Sequence, residues 1–263
     1  MEIKVTDYHQ NKGIYSFTIK ENKINGITGP DRLELIEILK LKLNKKGKIT
    51  INKKDLSETD INNLKRNIGI INKYLDSRLN AYKVYECMYQ EMRRKRMVLK
   101  DPKRKMIVSL KIVGLDISCL TRSVKDLSTS EKKLFQLSIA LMSNPEVIII
   151  DEFLNNLDLK NEKRLMVLLE KMVEQYNKTI IIVSSNPNTL YEYTSHIIIT
   201  KANEVLIEGN TEEVYQNVEL LKDNSIQIPE KVEWTYIAKK EKKAKIDYHK
   251  DVRDMIKDIY KHV

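Results

Sequence analysis

Residues 127–158 constrain this chain more than any other stretch; they read LSTSEKKLFQLSIALMSNPEVIIIDEFLNNLD. A polar turn opens the run, a helical stretch follows, Asn144-Pro145 breaks it, and an apolar strand then ends on Asp151-Glu152. A strand with two carboxylates at its C-terminal tip belongs in an open α/β sheet, because such sheets bind ligands at that edge. The rest of the chain keeps the same alternation. IYSFTIK, KINGITG, KITIN, NIGIIN, NPEVIIID, KTIIIVSS and the hairpin HIIITKANEVLIEG read as strands. DRLELIEILKLKLN, DINNLKRN, residues 83–118 (with MIVSLKIVGL periodic and closed by Gly114), EKKLFQLSIALMS, KNEKRLMVLLEKMVEQYN and LYEYTS read as helices, and so does the segment from Tyr248 on, where Val252, Met255, Ile256 and Ile259 recur at helical spacing. Strands alternating with helices imply a mostly parallel sheet covered by helices.

Composition sets outer bounds. At 41% hydrophobic residues over 263 positions the chain can build a full core. No run approaches 18 apolar residues, so no membrane span is expected, and MEIKVTDYHQ has no apolar leader. Cys87 and Cys119 have neither metal nor redox spacing and are expected to be buried thiols in a reducing compartment. The four histidines are scattered and make no ligand set. The net charge of +10 has three explanations. Lysine-rich composition, visible also in the wealth of Ile and Asn, ranks first. An anionic membrane surface ranks second. Nucleic acid ranks third, since the densest basic run, RRKRMVLKDPKRK at 93–105, has no interleaved aromatics.

The 127–158 block resembles the signature-to-Walker-B block of ABC ATPases, in register and without a gap. Leu127-Ser128 hold the first half of the LSGGQ signature, Asp151-Glu152 the Walker B pair, and Leu157-Asp158 the end of the D-loop. The resemblance then demands a phosphate-binding loop after an N-terminal strand. Residues 26–33, GITGPDRL, stand where a P-loop has GxxxxGK[ST]. The family's Q-loop region resembles residues 64–88, with Ile68-Gly69 and Val84-Tyr85 in place. TIIIVSSNP at 179–187 is similar to the switch strand, and 196–217 to the closing hairpin with Gly209 and Glu212-Glu213-Val214. Residues 218–240, with Pro229, Tyr236 and Ala238, resemble the C-terminal extension of energy-coupling factor ATPases, as KYLDSRL at 73–79 resembles their Q-loop.

The resemblance implies an α/β P-loop NTPase core with a mostly parallel sheet, an antiparallel β edge, a helical subdomain and a C-terminal helical extension. The implied division is an ATPase-like domain over 1–217, a helical subdomain inserted at about 83–126, and an extension over 218–263. ATP and Mg are the implied cofactors. Gly26, Ile27, Thr28, Gly29, Pro30, Asp31, Arg32, Leu33, Lys73, Ser128 and Asp158 fall on nucleotide-binding positions, Asp151 on the Mg position, and Glu152 and Ser185 on the catalytic ones.

Several of these positions carry the wrong chemistry. Asp31 replaces a glycine whose freedom lets the backbone approach phosphate, and a like charge about 4 Å from phosphate costs roughly 4 kcal/mol at an effective dielectric near 20. Arg32 replaces a compact ammonium with a planar fork, and Leu33 removes the hydroxyl that ligates Mg. Lys73 replaces the glutamine, and Ser185 the histidine that contacts the γ-phosphate. Thr129, Ser130 and Glu131 alter the signature, Glu131 adding a negative charge. Phosphoryl transfer depends on positioning and charge stabilisation, so these losses imply weak or lost nucleotide binding and little turnover at this chain's own site.

The expected function is a degenerate ATP-binding subunit of an energy-coupling factor type importer, held on the inner face of the cell membrane. Its expected partners are a second, intact ABC ATPase subunit in a heterodimer and integral membrane transporter subunits; nucleic acid is not expected. The alternative is a soluble pseudo-ATPase adaptor that works without a transporter.

Overall fold

A computed structural model describes residues 1–40, 46–56, 65, 67–71, 82–97, 100–152, 159–242 and 246–262. The centre is a six-stranded sheet built from β3 (Ile24–Thr28), β6 (Ile68–Ile71), β7 (Val147–Asp151), β8 (Thr179–Val183), β9 (His196–Lys201) and β10 (Glu204–Asn210), in the order β10-β9-β3-β8-β7-β6. Every pairing is parallel except β9 with β10, which form the closing hairpin. β7 and β8 are isoleucine runs, buried throughout except at the Asp151 tip. β-branched side chains suit such a pleated surface, and a parallel sheet covered on both faces needs apolar residues at every position.

Alternate residues of these strands feed two core layers. On one face Ile148, Ile150, Ile180 and Ile182 pack with Leu134 and Leu137 of α4 (Thr129–Leu141) and with Leu165 and Leu169 of α5 (Leu159–Tyr176). The same cluster extends into α2 (Val84–Arg94) and α3 (Pro102–Ile112), burying Met88, Met106 and Leu110. On the other face Ile149, Ile181 and Val183 meet Leu35, Ile36 and Leu39 of α1 (Arg32–Leu39). They also meet an antiparallel sheet of order β2-β1-β4-β5, formed by β1 (Ile3–Gln10), β2 (Gly13–Ile19), β4 (Lys48–Ile51) and β5 (Lys54–Asp55). α6 (Pro187–Tyr193) follows β8, and α7 (Thr211–Gln216), α8 (Val218–Asp223), α9 (Glu230–Lys242) and α10 (Val252–His262) complete the chain.

The α/β architecture and the antiparallel edge match the sequence expectation. β1 is a strand the pattern does not mark: Asp7 takes a φ of 45°, the register with β2 shifts between Val5 and Tyr8, and the alternation breaks there. Helices α8 and α9 also lie in a stretch where the pattern marks no elements, and α10 starts at Val252 rather than Tyr248. Most of 60–67, read as a short helix, lies outside the described residues. Cys87 and Cys119 are buried thiols outside any disulfide, and burial pushes the Cys87 thiol up to about 11. Among the described residues no helix is long and apolar enough to cross a membrane.

The two sheets are joined by a polar clasp. Glu208 on β10 accepts the Thr18 N–H of β2 at 3.1 and 3.2 Å and stands 3.3 Å from Nε2 of buried His196. Removing one partner of a part-buried hydrogen bond leaves the other with its desolvation cost. Glu208→Ala is therefore expected to lower stability by about 1–3 kcal/mol in urea unfolding, and Glu208→Gln, which keeps an acceptor oxygen, by distinctly less.

Candidate functional site

Three parallel strands, β3, β8 and β7, end on one edge: Ile27 pairs with Val183, and Val183 with Asp151. The loops leaving the three tips therefore meet in one place. After β3 the chain turns through Gly29, whose φ of 104° is open to glycine and strained for other residues. A Cβ there would lie 2.1 Å from the carbonyl oxygen of Thr200, so the loop is pressed against β9. Thr200 Oγ1 accepts the Asp31 N–H at 3.2 Å, and the Asp31 carboxylate accepts the Asn203 N–H at 2.9 Å. Asp31 is thus engaged by the β9-β10 hairpin, which modifies the expectation of a bare negative charge beside the loop.

Arg32 opens α1 and folds back over the turn. Its Nη1 donates to the Gly29 carbonyl at 3.2 Å, and its Nη2 lies 3.2 Å from Glu152 Oε1. Its Nε is buried without an acceptor among the described residues. Glu152, just past β7, sits at a φ of 49°, a strained value for a side-chain-bearing residue, while its N–H still reaches Val183 O at 2.9 Å. Glu152 Oε1 also accepts the Ser185 N–H at 2.9 Å, with Ser185 Oγ 3.5 Å from Oε2. Gly29, Arg32, Glu152 and Ser185 are thereby assembled from three separate parts of the sequence. The ion pair is about a quarter exposed on each side, which keeps it weak.

The loop's fit to magnesium nucleotide divides in two. The unmet Arg32 Nε suits an anionic oxygen. The metal finds less. Leu33 is 54% exposed and offers no ligand atom, and no group of three or more metal-ligating side chains occurs among the described residues. Asp151 ends β7, half-buried, with Glu152 beside it. Lys73 and Asp158 lie outside the described residues.

Ser128 belongs to a second locale. It caps α4: its Oγ accepts the Glu131 N–H at 3.2 Å, while Glu131 Oε2 accepts the Ser128 N–H at 2.8 Å, a reciprocal capping box. Arg122 holds Glu131 with Nη1 to Oε1 at 2.8 Å and reaches Asp126 O at 2.6 Å. The Arg122 guanidinium, then the Ser128 N–H, keep the Glu131 carboxyl below the usual glutamate range. The charge that Glu131 brings to the signature is thus met inside the chain. Arg122, Thr200 and Asn203 escape sequence reasoning because no local spacing links them to their partners.

The family model described as ABC transporter matches residues 14–155. The energy-coupling factor transporter ATP-binding protein EcfA2 of Enterococcus faecalis is 27% identical over 218 residues, covering 80% of this chain and 75% of that protein. Its namesake in Acetivibrio thermocellus is 24% identical, covering 74% and 68%. The structure of cbiO1 from Clostridium perfringens, part of the ABC transporter complex cbiONQ, superposes with a TM-score of 0.70 at 23% identity, covering 89% of this chain and 98% of cbiO1. The ATP-binding cassette MJ0796, solved as a dimer bound to ADP and Pi, reaches 0.65 at 21% identity, covering 80% and 98%. These two likenesses establish the fold.

The clasp around Glu131 carries a pH signature. A carboxyl whose folded pKa is depressed stabilises the fold above its unfolded pKa, near 4.3, and loses that contribution as pH falls through the folded value. The stability difference between wild type and Glu131→Gln is expected to be flat above about pH 5 and to shrink on acidification below it, as read by urea midpoints at stepped pH.

Proposed function

The chain belongs to the ABC transporter family, and from that premise we propose that it is an ATP-binding-cassette subunit of an energy-coupling factor type importer whose own nucleotide site is eroded. The energy-coupling factor relatives support the subfamily, and the extension after residue 217 supports it further. The proposed division remains 1–217 for the ATPase-like domain, with about 83–126 inserted, and 218–263 for the extension.

The observation that carries the reading is the Arg32 guanidinium lying on the Gly29 carbonyl and paired with Glu152. The cation that would balance a phosphate and the carboxylate that would polarise water neutralise one another. Binding a magnesium triphosphate must break that pair, displace Arg32 from the loop and proceed without a hydroxyl at position 33. Weak or absent ATP binding follows, with hydrolysis left to an intact partner cassette in a heterodimer. The partner's nucleotide would then face Ser128 at the start of α4.

A groove of about 540 Å³ supports docking to a membrane subunit. Its lining includes Tyr85, Tyr89, Met106 and Leu120 together with Lys100, Asp101 and Lys103. Exposed tyrosine surface with two lysines and one aspartate beside it suits a protein helix lying near an anionic membrane face. The basic balance of the chain agrees with placement on the inner face of the membrane.

Two measurements test this. In the assembly purified from membranes, Glu152→Gln is expected to leave ATPase activity within about twofold of wild type; a loss of tenfold or more, about 1.4 kcal/mol of barrier, would show that this chain hydrolyses. In the isolated chain, Asp31→Gly, Arg32→Lys and Leu33→Ser together are expected to raise MgATP affinity by at least about tenfold. Unchanged affinity in calorimetry sinks the account of the loop.

A further inference from the structure

A cavity of about 770 Å³ opens where the C-terminal extension meets the turn after β8, with Ser185, Asn188, Ile226, Ile228 and Glu230 among its walls. Ser185 therefore faces two ways, donating its N–H to Glu152 in the site and bordering the extension on the other side. The segment between them is short and tightly bonded. Asn186 N–H donates to Ser184 Oγ at 3.1 Å, and Asn186 Oδ1 caps α6 by accepting the N–H groups of Asn188 and Thr189 at 2.9 and 3.3 Å. Pro187, the first residue of α6, fixes its own φ. Asn188 then makes a reciprocal pair with the first residue of α9: its Nδ2 donates to Glu230 Oε1 at 3.3 Å, and its Oδ1 accepts the Glu230 N–H at 2.9 Å. Both ends are anchored. Leu190 and Tyr191 bury on the α6 side, and Ile226 and Val232 on the α9 side.

We infer that Asn188 and Glu230 are positioning residues, a latch by which the C-terminal extension holds the turn so that the Ser185 N–H meets Glu152. The inference rests on the reading of the Arg32–Glu152 locale as a nucleotide site, and adds its regulation. The latch works in both directions, since a coupling between two places is reciprocal. A change that takes Glu152 away from Ser185 loosens the start of α9, and a partner seated on α9 alters how firmly Glu152 is held. The extension thereby reads how Glu152 is held at that edge.

Hydrogen exchange on the full-length chain tests this without nucleotide, so its outcome is independent of whether the site binds ATP. Glu152→Ala is expected to speed exchange about three- to tenfold at the amides of 185–190 and again at 230–236, the scale of one partly exposed hydrogen bond. Asn188→Ala speeds 230–236 by itself. In the double variant Glu152→Ala/Asn188→Ala those amides exchange no faster than in Asn188→Ala, because the connection is already cut. The exchanged pair Asn188→Asp/Glu230→Gln keeps one amide facing one carboxylate and is expected to return 230–236 to within about twofold of wild type. Asn188→Asp alone, which sets two carboxylates face to face, exchanges faster than either. A general loss of packing predicts additive effects and no rescue by the exchanged pair. Additive effects, an unchanged 230–236 in Glu152→Ala, or a failed rescue would each overturn the latch.

Discussion

The site exists because β3, β8 and β7 run parallel in one register, and polar pins at the strand starts hold β3 against β8. The strands themselves specify little: Ile180-Ile181-Ile182 would pack against Ile148-Ile149-Ile150 almost as well one residue out of step, with the faces exchanged. Buried Asn25 removes the corresponding freedom between β3 and β8. Its Nδ2 lies 2.9 Å from Lys20 O and 3.3 Å from Ile180 O, and its Oδ1 accepts the Lys20 N–H. Thr179 Oγ1 accepts the Asn22 N–H and lies 3.4 Å from Met1 O. A slip would leave these buried groups unpaired, at about 1–3 kcal/mol each. The pins at one end of the sheet thus help decide that Gly29, after β3, and Ser185, after β8, share the other.

Electrostatics at that edge follow from how exposed it is. An ion pair as open as Arg32–Glu152 is worth at most about 1 kcal/mol. It does not hold the fold together; it decides which charges remain available. A triphosphate would gain the guanidinium and its unmet Nε but must release Glu152, whose carboxylate then faces added negative charge. With no hydroxyl at Leu33 to bring a metal in, that repulsion is poorly screened. Exchange of Lys for Arg at position 32 matters for the same reason: the fork reaches back to a carbonyl and a carboxylate together, where a point charge would hold one partner at a time.

Local pattern made most of the architecture readable. Isoleucine runs marked β7 and β8, the Asn-Pro break closed α4, and Gly114 ended α3, because each is decided by neighbours in sequence. β1 was not readable, since a bulge at Asp7 interrupts its alternation. Within the site, Gly29, Arg32, Glu152 and Ser185 were legible from the order of motifs, but their mutual bonds were not. Asp31 shows the limit well. Its charge was plain from the sequence, whereas its engagement by Asn203, 172 residues away, depends on how the β9-β10 hairpin folds over the loop. Arg122 is similar, a basic residue among many until the two short 3-10 turns bring it onto Glu131.

The same physical solution recurs at two of the altered motifs, and this bears on how the chain persists as a cassette. A charged substitution on a phosphate-facing edge is costly only while unpaired. Glu131 is capped by Ser128 and clamped by Arg122, Asp31 is taken up by Asn203, and Arg32 and Glu152 take up one another. Among the described residues, each of these substituted charges has a partner within the chain, so the scaffold at these places folds without a ligand to complete it. What such a scaffold can still transmit is mechanical. Ser185 remains bonded to Glu152 on one side and tied through Asn188 to α9 on the other. On the proposed reading, a cassette whose grip on triphosphate has given way to internal ion pairs would keep the lever that reports the state of its edge to whatever α9 touches.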